Sequence, residues 1–218
     1  MAMGRPRGFD TEKALEEAME VFWRHGYEGA TIAELTDAMG INPPSLYAAF
    51  GNKEGLLKAA LDRYTQRYNA FMSEALRLPT ARDVVERILL RIADLQTDPS
   101  NPPGCLLVAG GLACSAGSEN VPFELAARRA QKEQLLRERF IDARDEGDLA
   151  PDDDPTALAK FMSAVIAGMG VLASAGADRD ELRRVAMVAV KAFDKRPTRS
   201  HRVADTADAT IAPIIPAA

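Results

Sequence analysis

Two cysteines are the side chains of this 218-residue chain best suited to covalent chemistry. Cys105 and Cys114 are nine residues apart. At about 100° per residue, that spacing places them on opposite faces of one helix. They therefore cannot form a disulfide with each other unless the helix unwinds, and reduced thiols are typical of a cytoplasmic protein.

Cys105 is the candidate sensor thiol. It follows the run 102–104, Pro-Pro-Gly, and is predicted to open a helix, where unpaired amides and the helix dipole favour a thiolate. The alternative is a small apolar residue packed under a loop, as free cysteine usually is. Cys114 is expected in the core. Because His25 and His201 are far from both cysteines in the chain, the sequence predicts no catalytic residue, no metal site and no cofactor.

A second group of residues predicts a helix-turn-helix over 31–57. Thr31 stands three residues before Glu34, the spacing of a capping box, and Gly40 comes where the first helix must end. Asn42 is a good N-cap for a second helix that begins at Pro43, since proline lacks an amide that the first turn leaves unpaired anyway. In such a motif the second helix enters the major groove of DNA.

Four side chains around this motif are suited to phosphate groups. Arg5 and Arg7 lie in a short basic arm, Tyr47 carries a hydroxyl near the end of the second helix, and Lys53 opens the helix that follows. Each has a simpler alternative. The arm can be a disordered terminus, Tyr47 a half-buried aromatic residue, and Lys53 an ordinary solvated lysine.

Residues 10–57 resemble the DNA-binding domain of the TetR/AcrR family of transcriptional regulators. The resemblance is carried by residues at fixed spacing: Phe22, Gly26-Tyr27, Thr31-Ile32, Ala33-Glu34, Gly40, Ser45-Leu46-Tyr47, Phe50, Lys53-Glu54 and Leu56-Leu57. With Asn42 added at the start of the recognition helix, it implies DNA contacts from Arg5, Arg7, Thr31, Asn42, Pro43, Pro44, Ser45, Tyr47 and Lys53. The two prolines replace residues that are often small and polar or basic, so fewer hydrogen-bonding side chains face the bases.

The charge of the chain gives little support to a nucleic-acid partner. The net charge is −5, and the first 65 residues carry seven Lys and Arg against ten Asp and Glu. A DNA-binding face then depends on local clustering of Arg5, Arg7 and Lys53. The acidic residues of this part concentrate at Glu12, Glu16, Glu17 and Glu20, on a helix that is expected to face away from the DNA.

Composition predicts a soluble, cytoplasmic protein. With 47% apolar and 27% charged residues the chain is typical of globular proteins, and its N-terminus has no apolar signal sequence. The stretch Phe161–Ala177 has no charge, but it is short and rich in Ala, Gly and Ser. We interpret it as a buried helix and expect no membrane partner.

Periodicity predicts an all-α fold of about nine helices. We divide the chain into a flexible basic arm at 1–9, a helix-turn-helix domain at 10–57, a helical ligand-binding and dimerisation domain at 58–194, and a disordered tail at 195–218. The predicted helices end at Gly26, Gly40 and about Phe50 in the first domain. In the second they span about 52–78, 80–97, 104–117, 121–146, 156–175 and 179–194.

The last two predicted helices suit self-association. One carries small residues that allow close approach of a neighbouring helix, and the other has an apolar face wider than one partner normally covers. The expected interface consists of Ala164, Ala167, Gly168, Leu182, Val185, Ala186, Val188, Ala189 and Phe193. The alternative is packing within the monomer. In the TetR family, these helices pair with their mates as a four-helix bundle.

The resemblance implies a homodimeric repressor. It is expected to bind an inverted-repeat operator in double-stranded DNA and to release it when an unidentified small molecule shifts the 52–78 helix. One alternative within the same fold is a thiol-based sensor of electrophiles or oxidants, since the string Gly-Cys-Leu-Leu-Val around Cys105 resembles such a subgroup. Two less favoured alternatives are a small enzyme with Cys105 as nucleophile and a helical adaptor that does not bind DNA, for which the scarcity of basic charge is the best argument.

Overall fold

The computed structural model describes residues 9–109 and 120–194, and in those ranges it contains nine α-helices and no strand. The all-α prediction is confirmed. The helices are α1 (Thr11–Gly29), α2 (Ile32–Met39), α3 (Pro43–Phe50), α4 (Lys53–Ala75), α5 (Ala81–Gln96), α6 (Leu106–Ala109), α7 (Asn120–Asp145), α8 (Pro155–Ser174) and α9 (Arg179–Val190), with a 3-10 turn (Lys191–Phe193) after the last.

The first helix supports the helix-turn-helix. Asp10 caps its start, and its buried stripe includes Met19, Phe22 and Trp23, which pack against α2 and α4. The chain breaks from helical geometry at Gly26, where φ is 66°, as the sequence predicted. One more turn then follows, because the left-handed glycine redirects the chain rather than ending the helix.

The short helices α2 and α3 begin and end at the predicted residues. The Thr31 side chain and the Glu34 side chain cap each other's amides, and Gly40 takes the left-handed conformation with φ of 64°. The Asn42 side chain accepts a hydrogen bond from the backbone N–H of Ser45 at 2.9 Å and so caps α3. These local interactions fix the angle between the two helices before any long-range packing is considered.

Helix α4 runs without interruption across the predicted domain boundary at 57–58. Its buried side chains Leu57, Leu61 and Tyr64 lie in the single core that spans both halves. Ion pairs also tie it to α1, since Arg63 contacts Glu12 and Glu16, and Arg67 contacts Glu16. The two halves are therefore mechanically continuous through one helix.

The second half is a layered helical bundle in which α5 packs against α8 and α9, and α7 packs along α8. The helix predicted over 104–117 begins at Leu106, so Cys105 precedes it. Residues 110–119, with Cys114, lie outside the described ranges, as do residues 1–8 of the arm predicted at 1–9 and the tail predicted at 195–218.

The prediction that Phe161–Ala177 forms a buried helix is wrong for the protomer. Among the described helices, only α8 is long and apolar enough to cross a membrane. Its most apolar stretch of 18 residues has a mean hydropathy of 1.7, but only 28% of that stretch is buried. Phe161, Val171 and Leu172 are exposed. One side of α8 packs on α7, and the other carries apolar side chains that the protomer does not cover.

Four of the nine predicted interface residues lie in the protomer's own core. Leu182, Ala186 and Ala189 are buried because α9 packs this side against α5, and Phe193, in the 3-10 turn that follows, is buried with its ring 5.2 Å from that of Phe140. Their assignment to the dimer interface is therefore wrong. Ala164, Gly168, Val185 and Val188 are exposed and Ala167 is half-buried, so these five remain available to a partner.

Candidate nucleic-acid interface

Helix α3 is held by one face and exposed on the other. Leu46 is fully buried against the supporting helices. Pro43, Pro44, Tyr47 and Ala48 are exposed, and the Tyr47 side chain retains 47% of its accessible surface. Since residues 44, 47 and 48 are related by i, i+3 and i+4 spacing, they form one continuous face that can contact a groove.

The polar residues at the start of α2 are already engaged with one another. The Thr31 hydroxyl donates to Glu34 Oε2 at 2.8 Å and accepts from the Glu34 amide at 3.1 Å. Two hydrogen bonds from Thr31 lower the pKa of Glu34. The larger effect comes from the backbone N–H of Thr31 and the smaller one from its hydroxyl. The role of Thr31 that the structure shows is therefore capping, although its side chain is exposed.

Lys53 is the first residue of α4, directly after the N-cap Asn52. Its Nζ lies 4.4 Å from the centroid of the Tyr27 ring, a cation–π geometry. Burial lowers the pKa of Lys53, while the charges of Glu28 and Glu34 raise it in part. The ammonium group is thus oriented at the helix N-terminus, the position suited to a phosphate.

The predicted DNA-contacting residues within the described ranges all lie on α2, α3, their caps and the start of α4, while Arg5 and Arg7 lie outside those ranges. Sequence reasoning missed Tyr27, which holds Lys53. The available signal was an aromatic residue directly after Gly26, where the chain changes direction.

The acidic residues of α1 are neutralised locally. Glu12 and Glu16 pair with arginines of α4, and Glu20 pairs with Arg24 at 3.1 Å. These pairs compensate the acidic charges locally, but they leave the excess of acidic residues in the first 65 positions unchanged, because Arg24 and Arg63 are among the seven basic residues there. The case for DNA binding therefore depends on the placement of Lys53 and α3 and not on net charge.

Cys105 occupies a separate, buried site. It is 7% exposed, and its sulfur accepts a hydrogen bond from the Tyr64 hydroxyl at 3.4 Å. Lys132 lies nearby with its Nζ 5.9 Å from the Tyr64 ring centroid, and burial lowers the pKa of this lysine. Within the described ranges, no group of three or more His, Cys, Asp or Glu side chains could hold a metal ion.

Comparison with known proteins decides the family. The model described as "Bacterial regulatory proteins, tetR family" matches residues 14–60, and the model described as "Tetracyclin repressor-like, C-terminal domain" matches residues 81–189. The chain belongs to the TetR family. It is a transcriptional regulator of the type that these two models define together.

Individual TetR-family relatives cover nearly the whole chain. The HTH-type transcriptional repressor ComR of Escherichia coli is 35% identical over 84% of this chain and 88% of its own. A cysteine variant of the TetR-family regulator CifR, solved with 26-base-pair operator DNA, is 42% identical with a TM-score of 0.82, over 86% of this chain and 99% of that one. The reduced form of E. coli NemR, 21% identical with a TM-score of 0.71 over 86% and 98%, shares the fold.

Proposed function

We propose that this TetR-family protein represses transcription by binding an inverted-repeat operator as a homodimer. The observation that carries this proposal is the exposed face of α3 flanked by Lys53, which Tyr27 positions at the start of α4. One face enters the major groove while the Lys53 ammonium and the Tyr47 hydroxyl contact phosphates on either side. The CifR variant, similar over most of its length, was solved with an operator duplex.

The partner in the dimer is a second copy of the chain. Helix α8 leaves Phe161, Val171 and Leu172 exposed, and the neighbouring α9 leaves Val185 and Val188 exposed. Exposed apolar side chains on adjacent helices are typical of a surface that a partner covers. Two-fold pairing through these helices places two α3 helices on one side of a duplex, as an inverted repeat requires.

The helical half is proposed to bind a small-molecule effector that weakens DNA binding. Arg67 provides one route for coupling, because it contacts Glu16 of α1 and donates to Asn101 Oδ1 of the α5–α6 loop at 3.1 Å. A ligand that moves this loop therefore acts on the DNA-binding helices. We propose further that the protein works in the cytoplasm and that it is not an enzyme.

A gel-shift titration tests the DNA-binding proposal. The full chain is mixed with DNA from upstream of its own gene and with a scrambled duplex of equal length and composition. We expect one retarded species on the upstream DNA at protein concentrations at least a hundredfold lower than on the scrambled duplex. Equal affinity for the two duplexes, or no binding to either, contradicts the proposal.

Thiol chemistry at Cys105 is the second candidate for effector recognition. It is favoured by the hydroxyl of Tyr64 and the ammonium of Lys132, two polar groups beside the sulfur. Burial opposes it, because a reagent must open the core to reach the thiol. If it holds, N-ethylmaleimide at neutral pH abolishes operator binding by wild type and Cys114→Ser but not by Cys105→Ser. Normal DNA binding by protein labelled at Cys105 rules it out.

A further inference from the structure

The recognition helix has an unusual chemical composition for a surface that reads bases. All eight residues of α3, Pro-Pro-Ser-Leu-Tyr-Ala-Ala-Phe, are uncharged, and none carries a side-chain amide. Direct reading of guanine relies mainly on Arg or Lys, and direct reading of adenine on Asn or Gln. Helix α3 contains none of these four residue types.

The hydrogen-bonding side chains beside α3 are largely used within the protein. The Asn42 side-chain oxygen accepts from the Ser45 amide, and the Thr36 hydroxyl donates to the backbone oxygens of Ile32 and Ala33. Thr31 and Glu34 are paired in their capping box. Giving up the Asn42 or the Thr31 bond to a base edge would leave a helix terminus unpaired, and Thr36 is buried, so these groups are poorly suited to reading sequence.

The hydroxyls that remain have other positions. Tyr47 lies towards the C-terminal end of α3, where its hydroxyl suits a phosphate, and Ser45 is half-buried. What α3 offers to the floor of the groove is therefore apolar: the rings of Pro43 and Pro44 and the methyl group of Ala48, all exposed. In DNA-binding helices of this class the N-terminal residues contact the base edges, and here those residues are the two prolines.

Only one base presents an apolar group in the major groove, since thymine alone carries a C5-methyl. We propose that α3 recognises its half-site mainly through thymine methyl groups, which Pro44 and Ala48 cover with apolar surface. This inference rests on the proposed DNA-binding function and specifies the feature of the DNA that is read. It predicts half-sites rich in thymine beneath α3.

Deoxyuridine provides a direct test, because it differs from thymidine only in lacking the methyl group. High-affinity duplexes are selected from randomised DNA with the full chain, and each thymidine of the half-site is replaced by deoxyuridine in turn. Removal of one methyl group beneath α3 is expected to weaken binding about fourfold, the change associated with one buried methylene-sized group. Removal of the equivalent methyl groups from both half-sites is expected to weaken it about fifteenfold. The same replacement outside the half-sites should have no effect, and the salt dependence should stay constant.

Two protein variants assign the effect to α3. Pro44→Ala shortens an exposed side chain, so it keeps the fold and is expected to reduce the preference for thymidine over deoxyuridine at one position. Tyr47→Phe is the matched control, because it removes only a hydroxyl proposed to contact phosphate and should keep that preference intact.

The results separate this inference from the function on which it rests. A selected duplex that binds tightly, but changes by less than twofold at every deoxyuridine replacement, overturns the methyl-reading inference and leaves the DNA-binding function standing. Selected half-sites that contain no thymine also overturn the methyl-reading inference and leave the DNA-binding function standing. Failure to select any duplex refutes both.

Discussion

The Nζ atom of Lys53 lies 4.4 Å from the centroid of the Tyr27 ring, so the first residue of α4 is held by the last turn of α1. Tyr27 is itself buried, and its ring stacks on Phe22 with centroids 6.3 Å apart. An ammonium placed in this way loses little rotational freedom when it binds a phosphate, since it is already ordered.

Replacement of Lys53 by Ala is expected to weaken binding to operator and to random DNA by similar factors. A phosphate contact carries no sequence information, and its loss should make the dependence of log K on log salt shallower by about one unit. Binding isotherms at several salt concentrations measure both effects. Lys58→Ala, an exposed lysine of the same helix, is the control and should change neither. An unchanged slope for Lys53→Ala would remove this residue from the interface.

Tyr27→Leu tests whether the ring orients Lys53. The variant keeps an apolar side chain in the core but removes the cation–π contact, worth about 0.5–1 kcal/mol at an exposed site. We expect a loss of DNA affinity of up to about fivefold, smaller than that of Lys53→Ala, with the salt slope retained. If Tyr27→Leu is as harmful as Lys53→Ala and also unfolds the domain by circular dichroism, the ring acts in folding rather than in positioning.

Tyr47→Phe is predicted to weaken binding to operator and to random DNA to the same degree, by about two- to twelvefold. Its hydroxyl is exposed and assigned to phosphate, and a neutral hydrogen bond contributes about 0.5–1.5 kcal/mol. Competition titrations with operator and with scrambled DNA measure the loss of affinity for each duplex. A loss restricted to the operator would instead place the hydroxyl on a base.

Two aspartate substitutions on α9 are predicted to have different consequences. Val188 is 68% exposed and Ala186 is fully buried, although they are two residues apart. Val188→Asp should leave the helicity intact and yield monomers, because it buries an unpaired charge only when two copies meet. Ala186→Asp should unfold the protomer. Sedimentation and circular dichroism at micromolar concentration distinguish the two, and a dimeric, folded Val188→Asp protein contradicts the interface.

The capping box gives a prediction for stability and its pH dependence. Thr31→Ala should lower the free energy of unfolding by about 1 kcal/mol, whereas Thr31→Ser keeps the hydroxyl and should lose little. Part of this difference depends on ionised Glu34, whose pKa Thr31 lowers from 4.5. The contribution of ionised Glu34 to the free energy of unfolding is fully present at pH values above the pKa of Glu34 in the unfolded chain. It is lost as the pH falls through the lower pKa that Glu34 has in the folded protein. Urea titrations at pH 7 and at a series of lower pH values, with the protonation of Glu34 followed by NMR, test it. A difference that stays constant as Glu34 becomes protonated excludes the carboxylate.

The parts of the fold that follow from neighbouring residues could be predicted from the sequence. The Thr31–Glu34 capping box, the left-handed Gly40 and the Asn42 cap each need only a few adjacent residues, and all are present. The break at Gly26 was found, but not the extra turn that places Tyr27 beside Lys53.

Long-range partners could not be predicted from periodicity. The pairs of Arg63 with Glu12 and Glu16 join residues that are 51 and 47 positions apart. The apolar stripe of α9 had the same limitation, because a stripe shows that a helix is covered but not by which neighbour. Here α5 covers one side of the stripe, which moves residues such as Leu182 from the expected interface into the core.

The contacts of Arg67 have a consequence for the stiffness of the molecule. This one guanidinium joins α1, α4 and the α5–α6 loop through Glu16 and Asn101, and its side chain is 36% exposed. Mobile ions screen the partly exposed pair of Arg67 with Glu16, so high ionic strength weakens this one link. The uninterrupted α4 and the core that spans both halves do not depend on charge and stay in place. Salt should therefore weaken the coupling between the α5–α6 loop and α1 while the orientation of the DNA-binding half is retained.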